Sequence, residues 1–91
     1  MAGTKSLGTV STTDVAITAT TVCDSIIVCE AGQAGTTSYQ FRGKTSTDYI
    51  TKPSGAKLEL VRAKGFWNVG DTVGYIKRVD ADATFDQLEL P

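Results

Sequence analysis

The stretch "GFWNVGDTVGYI", residues 65 to 76, decides how the chain is expected to fold. Gly70 and Asp71 at its centre are favoured in two-residue β-hairpin turns, and β-branched and aromatic residues flank them. The stretch is therefore predicted to be a hairpin in which the indole of Trp67 covers Gly74. An aromatic ring over a strand glycine is a known stabilising arrangement.

The rest of the chain has the composition and spacing of an all-β protein. Thr, Ser, Gly and Val are abundant, whereas runs of helix-favouring residues are missing. Turn signals separate predicted strands at 15–21, 24–31, 36–43, 47–51, 56–62 and 85–90. The sequence thus predicts a small antiparallel β-sandwich or partly open barrel of about seven to eight short strands with extended terminal arms.

The predicted domain organisation is a single domain with an arm at each end. The 91 residues are too few for two hydrophobic cores. Residues 1–12 are polar and contain glycine, which predicts a flexible N-terminal arm before a β-sandwich at 13–80. Residues 81–91 are expected to form a C-terminal arm or an edge strand.

Charge and hydropathy argue against two classes of partner. A formal net charge of −1 is unlike that of a duplex-binding protein, so no nucleic acid is expected as the main partner. No apolar run approaches the roughly 20 residues that span a membrane, so no membrane partner is expected. The start of the chain lacks the apolar segment of a secretion signal, which favours folding in a cytosol. Cys23 and Cys29 would lie roughly 20 Å apart on one strand, so both are expected to be free thiols.

Residue types that carry catalysis are scarce. The chain has no His, the usual general base and the commonest metal ligand. "RGKTS" at 42–46 lacks the earlier glycine of a phosphate loop, because Ser38 stands there. "DADATF" at 80–85 lacks the glycine of a calcium loop, because Phe85 stands there. We therefore expect no enzyme, no cofactor and no metal site.

Apolar residues predict an interaction surface instead. Both faces of the predicted 65–76 hairpin are apolar, so its Trp67 face needs a cover, either from the chain itself or from another subunit. The C-terminal segment could add as a strand to a neighbour, or it could be the last strand of the same sandwich. The predicted interface residues are Trp67, Val69, Ile76, Phe85, Leu88 and Leu90.

Three segments in order carry a resemblance to a known family. "TVCDSIIVCEAGQAGTTSYQFRG" (21–43) reads as two strands around a glycine turn, and "KPSGAKLELVRAKGFW" (52–67) as a Pro/Gly turn and an alternating strand. "NVGDTVGYIKRV" (68–79) reads as a closing hairpin. Together they resemble the small β-sandwich head-decoration, or cement, proteins of tailed bacteriophage virions. The resemblance rests on pattern and order across residues 9 to 79, with no invariant motif.

The resemblance implies a structural virion protein made in the bacterial host cytoplasm and added in many copies to the capsid exterior. Its partners would be the major capsid protein and copies of itself, as a homotrimer, and it would clamp neighbouring capsid subunits. Two alternatives stay open. One is a phage head- or tail-fibre component that contacts a host receptor. The other is a small carbohydrate-binding module with Trp67 and Tyr75 as its stacking platform.

Overall fold

A computed structural model describes residues 3–31, 38–53, 55–62, 64–79 and 82–90. They form eight β-strands, which confirms the predicted all-β class. The strands are β1 Gly3–Val10, β2 Val15–Thr18, β3 Ser25–Glu30, β4 Tyr39–Gly43, β5 Ile50–Lys52, β6 Leu58–Val61, β7 Thr72–Arg78 and β8 Ala83–Leu90. The glycine turn expected near residue 33 and Ser54 of the Pro/Gly turn lie outside the described residues.

The strands form two antiparallel four-stranded sheets that pack as a sandwich. Sheet I has the order β1-β8-β3-β6, and sheet II has the order β2-β7-β4-β5. The chain passes repeatedly from one sheet to the other, so among the described strands only β4 and β5 are both sequential and paired. The sandwich is therefore held together by strands that are distant in sequence.

Alternating side chains build the core, as strand geometry requires. Ile26 and Val28 of β3 point inward and are fully buried, and Leu58 of β6 lies beside them. Tyr39 and Phe85 meet edge to face, with ring centroids 5.3 Å apart. The pKa of Tyr39 is raised to about 12 by burial and by the Glu30 charge, and its hydroxyl donates to the Ala56 carbonyl.

Residues 3–10 and 83–90 form paired strands of the sandwich, so these described parts of the segments expected as arms at 1–12 and 81–91 are not free of the domain. Residues 3–10 form β1, which pairs with β8 along its length. Gly8 has φ = 98° at the irregularity in this pairing, a conformation that suits glycine. β8 pairs with β1 on one side and β3 on the other, so it is an interior strand with no free edge for a neighbour.

The predicted hairpin is wrong in its pairing, and the turn itself lies one residue earlier than predicted, with Val69 and Gly70 at its centre. The Asp71 amide donates to the Asn68 carbonyl at 3.0 Å. Trp67, however, pairs with Cys23, through N–O distances of 2.7 and 3.1 Å, and not with Gly74. The two edges of β7 are already occupied by β2 and β4, so no edge is left for residues 66–69.

Gly74 is indeed covered by an aromatic ring, but the ring is that of Phe41. A Cβ at Gly74 would lie 2.6 Å from the Phe41 ring and 2.5 Å from the Arg42 carbonyl oxygen. The close approach explains why this β7 position has no side chain. Trp67 packs part of its indole against the core, while Phe66 remains 51% exposed.

Candidate functional site

The six predicted interface residues do not form one surface. Ile76 and Phe85 are fully buried in the core, so neither side chain is available to another subunit in this fold. Phe85 faces inward because residues 85, 87 and 89 share one face of β8. Residues 88 and 90 take the opposite face, and this parity could have been read from the sequence.

The outer face of sheet I contains the other two β8 candidates. Leu88 lies opposite Ile27, and Leu90 lies opposite Ser25, which in turn lies opposite Val61. Facing side chains on antiparallel strands are about 5 Å apart, so Ile27 and Leu88 are neighbours, and Leu90 and Val61 lie on either side of Ser25. Glu59 of β6 faces Ile27 on its other side. We call this surface the apolar face, and it consists of Ile27, Cys29, Val61, Leu88 and Leu90.

The apolar face has a shallow depression with one charge of each sign at its rim. The depression has a volume of about 330 Å³ and is lined by Ile27, Cys29, Lys57, Asp86 and Leu88. Val61 is 70% exposed at the β6 edge of the same face. The segment "DSIIVCEA" (24–31) is apolar on both faces, which is typical of a central strand, and β3 is central. None of the described residues covers its outer side.

The outer face of sheet II is polar, and its charged side chains bind one another. Asp14 accepts hydrogen bonds from Arg42 at 3.0 and 3.1 Å and from the Tyr49 hydroxyl at 2.8 and 2.9 Å. The Arg42 guanidinium lies 4.1 Å from the Tyr75 ring centroid, and the Lys77 ammonium lies 4.3 Å from that of Tyr49. Burial alone would raise the pKa of Asp14, but the bonds from Tyr49 and Arg42 outweigh it and lower the pKa. These groups satisfy one another and offer few free contacts.

A second polar cluster is buried and involves Glu89, which is 1% exposed. Its carboxylate accepts hydrogen bonds from the amides and hydroxyls of Thr20 and Thr21 at 2.7 to 3.0 Å. The Gln87 amide donates to it at 2.8 Å. Burial alone would raise the pKa of Glu89, but these bonds lower it to about 2. The cluster ties the β2–β3 connection to β8 and has a structural role.

Trp67 and Val69, the remaining candidates, lie at one end of the sandwich. Val69 is 66% exposed, and Trp67 lines a cleft of about 290 Å³. The cleft brings together side chains from both sheets: Lys44, Arg62, Trp67, Asp71, Thr72 and Val73. Trp67 and Tyr75 do not share this cleft, so the stacking platform suggested for that pair is absent from it.

The two thiols are the other groups to consider. Cys23 and Cys29 are free thiols, and burial raises the pKa of Cys23. Within the described ranges, no three His, Cys, Asp or Glu side chains are grouped as metal ligands would be. None of those residues forms a helix long and apolar enough to cross a membrane. Comparison with known protein families, curated proteins and solved structures found no match to the chain.

Proposed function

We propose that the chain is a structural virion protein: a capsid decoration or cement protein that docks on the outer capsid surface in many copies through its apolar face. The observation that carries the proposal is the row of outward apolar side chains on sheet I, Ile27, Leu88 and Leu90, with Val61 at its edge. Contiguous exposed apolar residues on a small protein usually mark a contact surface.

The size of the apolar face supports many weak contacts. Its residues lie on the three strands β3, β6 and β8. With about 4.8 Å between strands and about 3.3 Å per residue over about six residues, they cover roughly 300 Å². A contact of this size buries about 600 Å² in total, which is below the range of stable pairwise complexes. Such a contact is effective when many copies bind one shell, because each neighbouring contact then adds to the affinity of the next.

Lys57 and Asp86 give the proposed contact an orientation. Both line the depression: Asp86 lies on β8 opposite Cys29 of β3, and Lys57 directly precedes β6. A partner surface with the complementary charges in the same order would bind in one orientation only. The proposal includes no catalytic step, in keeping with a chain that has no His. The partner is the major capsid protein, with self-association as the homotrimer that the resemblance implies.

The test is binding to shells assembled from the major capsid protein encoded in the same genome. Leu88→Lys places a charge at the centre of the apolar face and should reduce shell occupancy at least about tenfold. Ile50→Lys is the matched control, because Ile50 is an apolar β5 residue of sheet II that is 54% exposed. Equal occupancy by wild type and Leu88→Lys would refute the proposal. Light scattering of the free proteins measures self-association separately.

A further inference from the structure

We propose that the Trp67 cleft binds an acidic sugar, such as a uronic acid residue of a polysaccharide. The cleft lies at the end of the sandwich and involves none of the apolar-face residues. The inference is therefore independent of the decoration function. It depends only on which ligand the six side chains that line the cleft can bind.

Two cations converge on this cleft from different sheets. Lys44 follows β4 of sheet II, and Arg62 follows β6 of sheet I. Arg42 forms an ion pair with Asp14, and Arg78 with Glu30. Arg62 and Lys44 form no ion pair with the described residues. Their charges are thus available to an anion placed between them.

Trp67 and Asp71, which also line the cleft, indicate which kind of anion it would bind. The indole of Trp67 provides a flat apolar surface against which the C–H face of a sugar ring can stack. Asp71 provides a carboxylate that is held in place by the Asn68 amide at 2.8 Å. Carboxylate oxygens accept hydrogen bonds from hydroxyl groups, which a sugar has in plenty. The lining thus combines two cations, a hydrogen-bond acceptor and an aromatic side chain, which suits a ring that carries hydroxyls and a single negative charge.

Nucleotides share part of this chemistry, since they combine a stacking ring with an anion. A phosphate monoester carries close to two negative charges, so Asp71, which lines the same cleft, repels it more strongly than it repels a singly charged carboxylate. A uronic acid carries one charge and several hydroxyl donors. We therefore favour the sugar, and a nucleotide is an arm of the test.

The experiment uses the only Trp of the chain as its own reporter. The intact protein is titrated with sodium glucuronate, glucose, sodium sulfate and adenosine monophosphate at low salt, and Trp67 emission is recorded. We expect saturable binding of glucuronate with a Kd on the order of millimolar, and affinity for glucose at least about tenfold weaker. Sulfate and the nucleotide should also bind less tightly than glucuronate.

Two surface variants test the role of the cations. Lys44→Ala and Arg62→Ala should each weaken glucuronate binding about threefold, as expected for exposed charges. Lys57→Ala, an exposed residue before β6 that does not line the cleft, should leave it unchanged. Circular dichroism confirms that each variant folds.

Four results would overturn the proposal. The first is no change in Trp67 emission with glucuronate up to about 50 mM, and the second is an affinity for glucose equal to that for glucuronate. The third is binding of sulfate or of the nucleotide that is as tight as that of glucuronate or tighter. The fourth is the same weakening of glucuronate binding in Lys57→Ala as in Arg62→Ala. Equal binding of sulfate would reduce the cleft to a general anion site. Tighter binding of the nucleotide would change the ligand class. None of these results bears on shell binding through the apolar face.

Discussion

Replacing Glu89 with Gln should remove a pH-dependent part of the stability that the buried cluster provides. The folded protein lowers the pKa of Glu89 from 4.5 to about 2 through the bonds from Thr20 and Thr21. Each pH unit of difference corresponds to about 1.4 kcal/mol, so the ionised carboxylate contributes about 3 kcal/mol. A domain of this size is expected to have roughly 5 to 14 kcal/mol in total, so Glu89→Gln should still fold at pH 7.

The direction of the pH effect follows from the lowered pKa. Above the unfolded-state value of 4.5 the contribution is fully present, and it is lost as the pH falls toward about 2, because protonation then favours the unfolded chain. Urea unfolding at several values between pH 7 and pH 2 gives the free energy of unfolding of each protein. Wild type should exceed Glu89→Gln by about 3 kcal/mol at pH 7, and this gap should close between pH 4.5 and pH 2.

Other carboxylates titrate in the same range, so the comparison of variants is essential. Their effects cancel in the difference between wild type and Glu89→Gln. Glu59→Gln is the control, since the Glu59 side chain is 61% exposed on β6. A gap that stays constant from pH 7 to pH 2, or a similar gap for Glu59→Gln, would refute the reasoning.

Three further predictions concern stability. Gly74→Ala should lower the free energy of unfolding in urea by about 3 kcal/mol, since its methyl group would overlap the Phe41 ring. Gly43→Ala is the control and should lower it by less than about 1 kcal/mol, because the nearest atom to its Cβ is 3.9 Å away. Equal costs would contradict the close approach. Asp14→Asn should lower the free energy of unfolding at pH 7 by about 1 kcal/mol, and an unchanged urea midpoint would show that its ion pair contributes nothing. Deleting residues 83–90 should abolish the cooperative unfolding transition, since β8 is the interior strand between β1 and β3; a truncated chain that still unfolds cooperatively would refute this.

Local patterns predicted the strands well because alternation is a short-range property. Ile17 and Ala19 are both buried, and so are Tyr39 and Phe41, as the two-residue period within the predicted strands at 15–21 and 36–43 requires of residues that share a face. Leu58 is buried on the inner face of β6, also as expected. Such predictions need only the two-residue period of a strand.

Pairing between distant segments could not be read in the same way. The turn at Gly70 was located to within one residue, but turn residues do not say which strand lies beside Trp67, and its partner is Cys23. The segment 81–91 was expected to be an arm or an edge strand, in which a charged residue such as Glu89 is ordinarily exposed. Its hydrogen-bond partners, Thr20 and Thr21, are 69 and 68 residues away, and only the fold brings them together.

For the candidate surfaces too, the sequence indicated which residues of one strand share a face but not which distant residues lie beside them. Leu88 and Leu90 were chosen from the sequence and lie on the apolar face, whereas Ile27 on the neighbouring strand was overlooked as a core residue. The Trp67 cleft was beyond sequence reasoning, since Lys44 and Arg62 reach it from separate sheets. Residues that are 18 positions apart with no shared motif give no signal before the fold is known.

The central place of β8 in sheet I has a consequence for how the chain acquires its structure. Neither β1 nor β3 can complete its pairing until residues 83–90 have been synthesised and have inserted between them. On the ribosome, most of the polypeptide therefore waits with unpaired strand edges that are prone to association. Loop closure over such long separations is slow, so refolding should take milliseconds to seconds, as in other sandwiches rich in non-local pairs. During that interval the protein would depend on rapid completion of synthesis or on chaperones to avoid aggregation.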